Sequence, residues 1–180
     1  WCFGDSAGIN FNNLNNPVPI STGLRTRGSC ASIADTNGNL LFFAQTRASN
    51  GSNSTQLFNS SNLIIQNGDS IFGQGWYHEL ITLPIPGNDS MYYIFSIGVS
   101  SVYGLKYSII NMKANGGLGE VIQKNIQLQS FPMVDCLTAV KHGNGRDWWL
   151  IFRRWDNFTS NPNNEFHSYL ISPAGITNYF

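Results

Sequence analysis

The chain has 180 residues, ten Lys and Arg against ten Asp and Glu, a net charge of zero and only 11% charged residues, where an average soluble domain carries about 25%. Its 22 Asn and 18 Gly supply much of the polar character, and 42% hydrophobic with 13% aromatic residues exclude a disordered chain. Balanced charge argues against electrostatic capture of nucleic acid or an anionic membrane, and no apolar run approaches the ~20 residues that span a bilayer.

Trp1-Cys2-Phe3-Gly4 lacks the charged and apolar regions of a signal peptide, which fits either a cytosolic protein or one whose leader has been removed, and the neutral, amide-rich composition favours an exported β protein. Apolar runs are mostly β-branched or aromatic and end in Gly, Asn or Pro, which predicts strands rather than helices. Cys30–Ala34 and Leu40–Ala44 flank Asp35-Thr36-Asn37-Gly38-Asn39, whose Asn-Gly suits a tight hairpin. A polar excursion over 48–55 leads to a third strand at Gln56-Leu57-Phe58 and a fourth at Leu63–Gln66. Glu79–Leu83 and Met91–Val99 flank the turn-rich Pro84–Ser90, followed by Leu105–Met112 and Glu120–Leu128. Cys136–His142 and Trp148–Arg153 flank Gly143-Asn144-Gly145-Arg146, followed by Phe166–Ile171 and Gly175–Phe180. Met133, Val134, Leu137 and Val140 have helical spacing, but the Gly-Asn-Gly turn that follows favours a strand.

These hairpins read as one unit repeated every ~50–60 residues, each with four antiparallel strands and an unusually apolar second strand. Continuous apolar runs, rather than alternating ones, mean strands covered on both faces. The prediction is an all-β fold: a partial β-propeller of about three four-stranded blades, approximately 28–76, 77–130 and 131–180, in a single propeller-like domain over 1–180. Closed propellers need about four to eight blades, so the open blade faces are expected to be covered by the remainder of a longer chain or by a partner protein.

Catalytic motifs do not hold up. Gly4-Asp5-Ser6 matches the first block of GDSL-type esterases, but no His has an Asp three residues before it to supply the base, and no helix follows the Ser. Asp35-x-Asn37-x-Asn39 resembles the start of a calcium loop, yet the sixth and twelfth positions are Leu40 and Thr46 rather than Gly and Glu. His78 and Glu79 are adjacent, so a strand points them to opposite faces. No phosphate-cradling Gly-rich motif occurs, and neither a cofactor nor a metal is expected. Cys2, Cys30 and Cys136 fit one pair plus a free thiol, or three buried thiols.

The candidates for ligand binding are aromatic and basic: Trp76 and His78 in one cluster, Trp148, Arg154 and Trp155 in another. Exposed Trp and Arg at strand ends can stack a sugar or anchor a protein partner. Alternation sends Trp148, Leu150 and Phe152 to one face of their strand and Trp149, Ile151 and Arg153 to the other.

Several motifs carry a family resemblance. Trp1-x-Phe3-Gly4-x-x-Ala7-Gly8-x-x-Phe11, Ala31-Ser32-Ile33-x-Asp35-x-Asn37-Gly38-Asn39-Leu40-Leu41-Phe42, Asn115-Gly116-Gly117-Leu118-Gly119-x-Val121 and Leu137-Thr138-Ala139-Val140-Lys141-His142 resemble the N-terminal propeller-like region of large exported Bacteroidetes proteins. These belong to the gliding-motility, type IX secretion kind, often with PKD-like modules and a C-terminal sorting domain. Departing from that family, the stretch after the first hairpin reads Gln45-Thr46-Arg47-Ala48-Ser49-Asn50, without the usual Asp-Gly and Val-Trp-Asn. The resemblance implies a secreted or cell-surface protein. It also implies O-glycosylation at Ser6, Ser70 and Ser90, which stand in Asp-Ser-apolar triplets.

The expected function is a non-enzymatic extracellular scaffold or binding module in adhesion, motility or surface-complex assembly, contacting a surface glycan or an outer-membrane protein. Alternatives are a propeller hydrolase or lactonase-like enzyme, and a carbohydrate-binding module using Trp76, Trp148 or Trp155.

Overall fold

The computed structural model describes residues 1–26, 28–46, 54–73, 78–98, 104–133, 137–155 and 165–179. Turn chemistry sets its hairpins. In each predicted hairpin loop one Asx oxygen collects two backbone N–H groups: Asp35 Oδ1 from Asn37 and Asn39, Asn88 Oδ1 from Ser90 and Met91, and Asn144 Oδ1 from Arg146 and Asp147.

The strands form four antiparallel sheets, each a meander in chain order. The first holds β1 (Cys2–Phe3), β2 (Asp5–Asn10) and β3 (Val18–Arg25), and the second holds β4 (Cys30–Ala34), β5 (Leu40–Gln45) and β6 (Gln56–Asn59). The third holds β7 (Leu80–Pro84), β8 (Met91–Gly98), β9 (Gly104–Asn111) and β10 (Glu120–Gln129). The fourth holds β11 (Thr138–Lys141), β12 (Trp148–Arg153), β13 (Phe166–Ser172) and β14 (Gly175–Asn178). Thr138–Lys141 is therefore strand, not helix.

Two expectations need correction. The sheet over 2–25 was not anticipated, so there are four sheets rather than three units. The second sheet has three strands, because Leu63–Gln66 forms only isolated bridges: Ile64 with Phe58, and Gln66 in parallel with Glu120 of β10. Asn62 and Asn67 hold φ of 62° and 59° at its two ends and turn the chain away from a regular ladder. The segment is instead shared between sheets, with Phe72 N–H donating to Asn125 Oδ1 at 2.7 Å and Lys124 Nζ donating to the Asp69 carbonyl at 2.9 Å.

Side-chain alternation packs the sheets face to face in sequence order. Phe43 of β5 joins Cys2 and Leu24 of the first sheet, while Phe42 and Ala44 join Tyr92 and Ile94 of β8. Tyr93, Phe95 and Ile97 point the other way, into a core with Leu150, Phe152, Tyr169 and Ile171 of the fourth sheet. Sheets two and three are thus covered on both faces, which is why β5 and β8 are continuous apolar runs. The first strands also gather: β4 lies within 8 Å, Cα to Cα, of both β1 and β7. Ahead of β7, the His78 carbonyl accepts the Leu137 N–H at 2.8 Å, tying the starts of the third and fourth meanders.

Candidate functional site

Of the residues singled out in the sequence, those that the structure describes do not converge. His78 is exposed and contributes its carbonyl to the Leu137 contact. Trp148 is half-buried on the covered face of the fourth sheet, with Lys141 Nζ 4.5 Å from its ring centroid. Its indole N–H has no hydrogen-bond partner among the described residues. Arg154 and Trp155 follow the other end of β12, about 20 Å from Trp148 at strand rise. There Arg154 lies 5.6 Å from the Phe131 centroid and 3.4 Å from Glu165 Oε2, and Trp155 N–H donates to the Pro132 carbonyl at 2.9 Å. Trp76 lies outside the described residues, as does Cys136, while Cys2 and Cys30 are free thiols. Burial raises the Cys2 thiol above its ordinary pKa. Of the three serines, Ser70 is exposed, whereas Ser6 and Ser90 are half-buried and the Ser90 hydroxyl donates to Asn88 Oδ1.

Two other regions stand out. The first is the outward face of the fourth sheet, where strand register lines up Val140, Trp149, Leu170 and Thr177 in one row. The next row holds Thr138, Ile151 and Ser168. Trp149 meets Tyr179 edge-on at 5.2 Å, and Val140, Phe166 and Tyr179 are 48%, 62% and 56% exposed. No described sheet covers this face. Its apolar side chains are interleaved with Thr138, Ser168 and Thr177.

The second is a cleft of about 900 Å³ where the end of the first sheet meets the β4–β5 turn. At its edge Gly8 lets β2 pass close to Trp1, since a Cβ there would fall 2.7 Å from the Trp1 carbonyl oxygen. That carbonyl instead accepts the Ile9 N–H at 2.8 Å, which fixes the Trp1 backbone at the cleft edge. The Trp1 and Phe11 rings sit 4.9 Å apart at 55°, and Trp1 is 74% exposed. Opposite lies the Asp35 turn. Asp35 accepts hydrogen bonds from both Asn37 and Asn39 N–H and from Asn39 Nδ2, and these, the Asn39 amide foremost, hold its carboxyl below the usual carboxylate range. Among the described residues Asp35 is the one acidic side chain on the wall, and no basic side chain lines it. The sequence signal was there in the exposed Trp1 and the Asn-rich stretch Asn10–Asn16, but nothing local pairs them with a turn at residues 35–39.

A third feature is structural. Thr26, Ser29, Thr46, Thr55, Glu79 and Ser96 are all buried, most of them at the seam of the second and third sheets. Thr26 Oγ1 donates to the Thr46 carbonyl, Thr46 Oγ1 donates to the Ser29 carbonyl, and Glu79 N–H donates to Ser29 Oγ. Buried polar groups paired in this way fix the register of one sheet on the next.

No protein-family model, curated protein or solved structure matches the chain.

Proposed function

We propose that this chain is a non-enzymatic extracellular scaffold, an arc of propeller-type blades from a secreted or cell-surface protein of the type IX kind, acting in adhesion, motility or surface-complex assembly. The observation that carries the reading is the uncovered apolar face of the fourth sheet, with Trp149, Ile151, Val140, Phe166 and Tyr179. Contiguous apolar patches of this sort mark interaction surfaces. In the scaffold, a further blade or a partner protein covers it. The gathering of first strands, with β4 close to β1 and β7, is the arrangement expected around a propeller axis. Export and the type IX character rest on the low charge, the Asn-rich composition and the motifs from Trp1–Phe11 to Leu137–His142. O-glycosylation at Ser6, Ser70 and Ser90 belongs to the same reading.

Sedimentation velocity on the native chain and on a Trp149→Glu/Ile151→Glu variant tests the proposal. The native chain should self-associate and the variant should run as a monomer with the same far-UV circular dichroism. A native chain that is monodisperse, monomeric and dark to a hydrophobic dye would refute the assembly face.

A further inference from the structure

We propose that the cleft between the first sheet and the Asp35 turn is a binding site for a neutral oligosaccharide. This goes beyond the scaffold reading and uses a different end of the molecule, so either can fail alone.

The lining determines the ligand class. A volume of about 900 Å³ lies within the range of small-molecule sites, and the cleft opens at the surface rather than closing over a core. Trp1 supplies a broad aromatic face that the fold leaves 74% exposed, with Phe11 tilted against it at 4.9 Å. Aromatic faces of this kind take the axial C–H surface of a sugar ring, as they take other flat or weakly polarised partners. Opposite them the wall is amide and carboxylate. Each Asn amide offers two donors and an acceptor, which is the mixed set that vicinal hydroxyls require.

Two of these amides are unspent. Among the described residues, the side chains of Asn12 and Asn37 make no hydrogen bond. Asn12 reaches across from the β2–β3 loop, its Oδ1 lying 3.1 Å from where a Cβ on Gly38 would stand. The two loops therefore meet at the cleft with free amides on both sides. Asp35, by contrast, is fixed by Asn37 and Asn39, so it presents a rigid acceptor without a loss of side-chain freedom on binding.

Charge excludes the competing ligands. Among the described residues no basic side chain lines the wall, the Trp1 ammonium is already engaged by the Ile9 carbonyl at 2.8 Å, and Asp35 repels a phosphate, sulfate or uronic acid. A metal ion would meet one carboxylate, the buried Cys2 thiol and amides, and among the described residues no group of three His, Cys, Asp or Glu could hold one.

Isothermal titration of the full chain with neutral cello-, xylo-, malto-, manno-, laminari- and chito-oligosaccharides, trimers to hexamers, tests the site. At least one should bind, and Trp1→Ala and Asn37→Ala should each weaken it about tenfold or more. Both positions are exposed, so the melting temperature should not move. Trp149→Ala, on the fourth sheet, should bind as the native chain does, and uronic-acid oligomers should bind more weakly than neutral ones. The proposal is overturned if no panel member binds the native chain, if Trp1→Ala and Asn37→Ala both bind normally, or if Trp149→Ala alone abolishes binding.

Discussion

Phe152 and Ile151 are neighbours on β12 that face opposite ways, and truncating each to Ala separates a covered sheet face from an open one. Phe152 is fully buried. Its ring stacks with Tyr169 at 5.5 Å, with His167 at 5.4 Å and with Phe131 at 6.3 Å. Deleting a ring in such a site costs about 3–5 kcal/mol through lost transfer energy and the cavity left behind. The stacked neighbours place Phe152→Ala at the upper end, about 4–5 kcal/mol, since each well-placed ring pair adds about 0.5–1.5 kcal/mol beyond its area. Ile151 sits between Thr138 and Ser168 on the open face, so Ile151→Ala should cost about 1 kcal/mol or less, mostly strand preference. Urea unfolding followed by tryptophan emission reads the difference directly, because Trp148, Trp149 and Trp155 all belong to or adjoin this sheet. With an m-value of about 2 kcal/mol/M, the midpoint should fall by about 2 M for Phe152→Ala and by about 0.5 M or less for Ile151→Ala. Equal shifts would mean that the outer face is covered in the isolated chain, and the assignment of faces would be wrong.

Two further outcomes follow from local geometry. Arg146 donates to both Asp147 oxygens, at 2.7 and 3.2 Å, and this pairing foremost, with Asn144, lowers the Asp147 pKa. Because the folded value lies below the unfolded one, the stabilisation is complete above about pH 5 and is lost as pH falls through the depressed value. The native chain should therefore lose more of its urea midpoint between pH 7 and pH 2 than Asp147→Asn does, and parallel pH profiles would refute the pairing. Gly104 opens β9 with φ of 111°, and a Cβ there would press on the Gln129 carbonyl oxygen and lie 2.7 Å from Gln127 Nε2. Gly104→Ala should cost about 2 kcal/mol or more in the same unfolding assay, and a change under about 0.5 kcal/mol would contradict the close approach.

Much of the strand order was legible because its signals are local. Asp35–Asn39, Gly87–Ser90 and Gly143–Asp147 carry turn chemistry within a few residues of the runs they join, and those runs are apolar enough to read unaided. The first sheet was illegible for the opposite reason. β2 and β3 contain Ser, Gly, Thr and Pro, bury little beyond Gly8 and Leu24, and pair across a register shift between Asp5 and Ala7. Their identity as strands comes from partners, not propensity. Leu63–Gln66 was legible as apolar but not as a bridge between sheets, since its partner Glu120 is over 50 residues away. The cleft was hidden likewise: Trp1 and Phe11 acquire meaning only beside a turn that local reading exhausts as a hairpin loop. The aromatic-basic set was legible as chemistry, but Trp148 and Arg154 stand at opposite ends of one strand.

The serial stacking of the sheets has a consequence for how the molecule comes apart. Among the described residues the apolar cores join each sheet to the one before and the one after it in the chain, so cooperativity passes chiefly between neighbours. The inner two sheets should exchange their amide protons last and together. The end sheets, each held on one side only, should open first and independently, and a partner docked on Trp149 would be felt as slowed exchange along β12, fading toward β1.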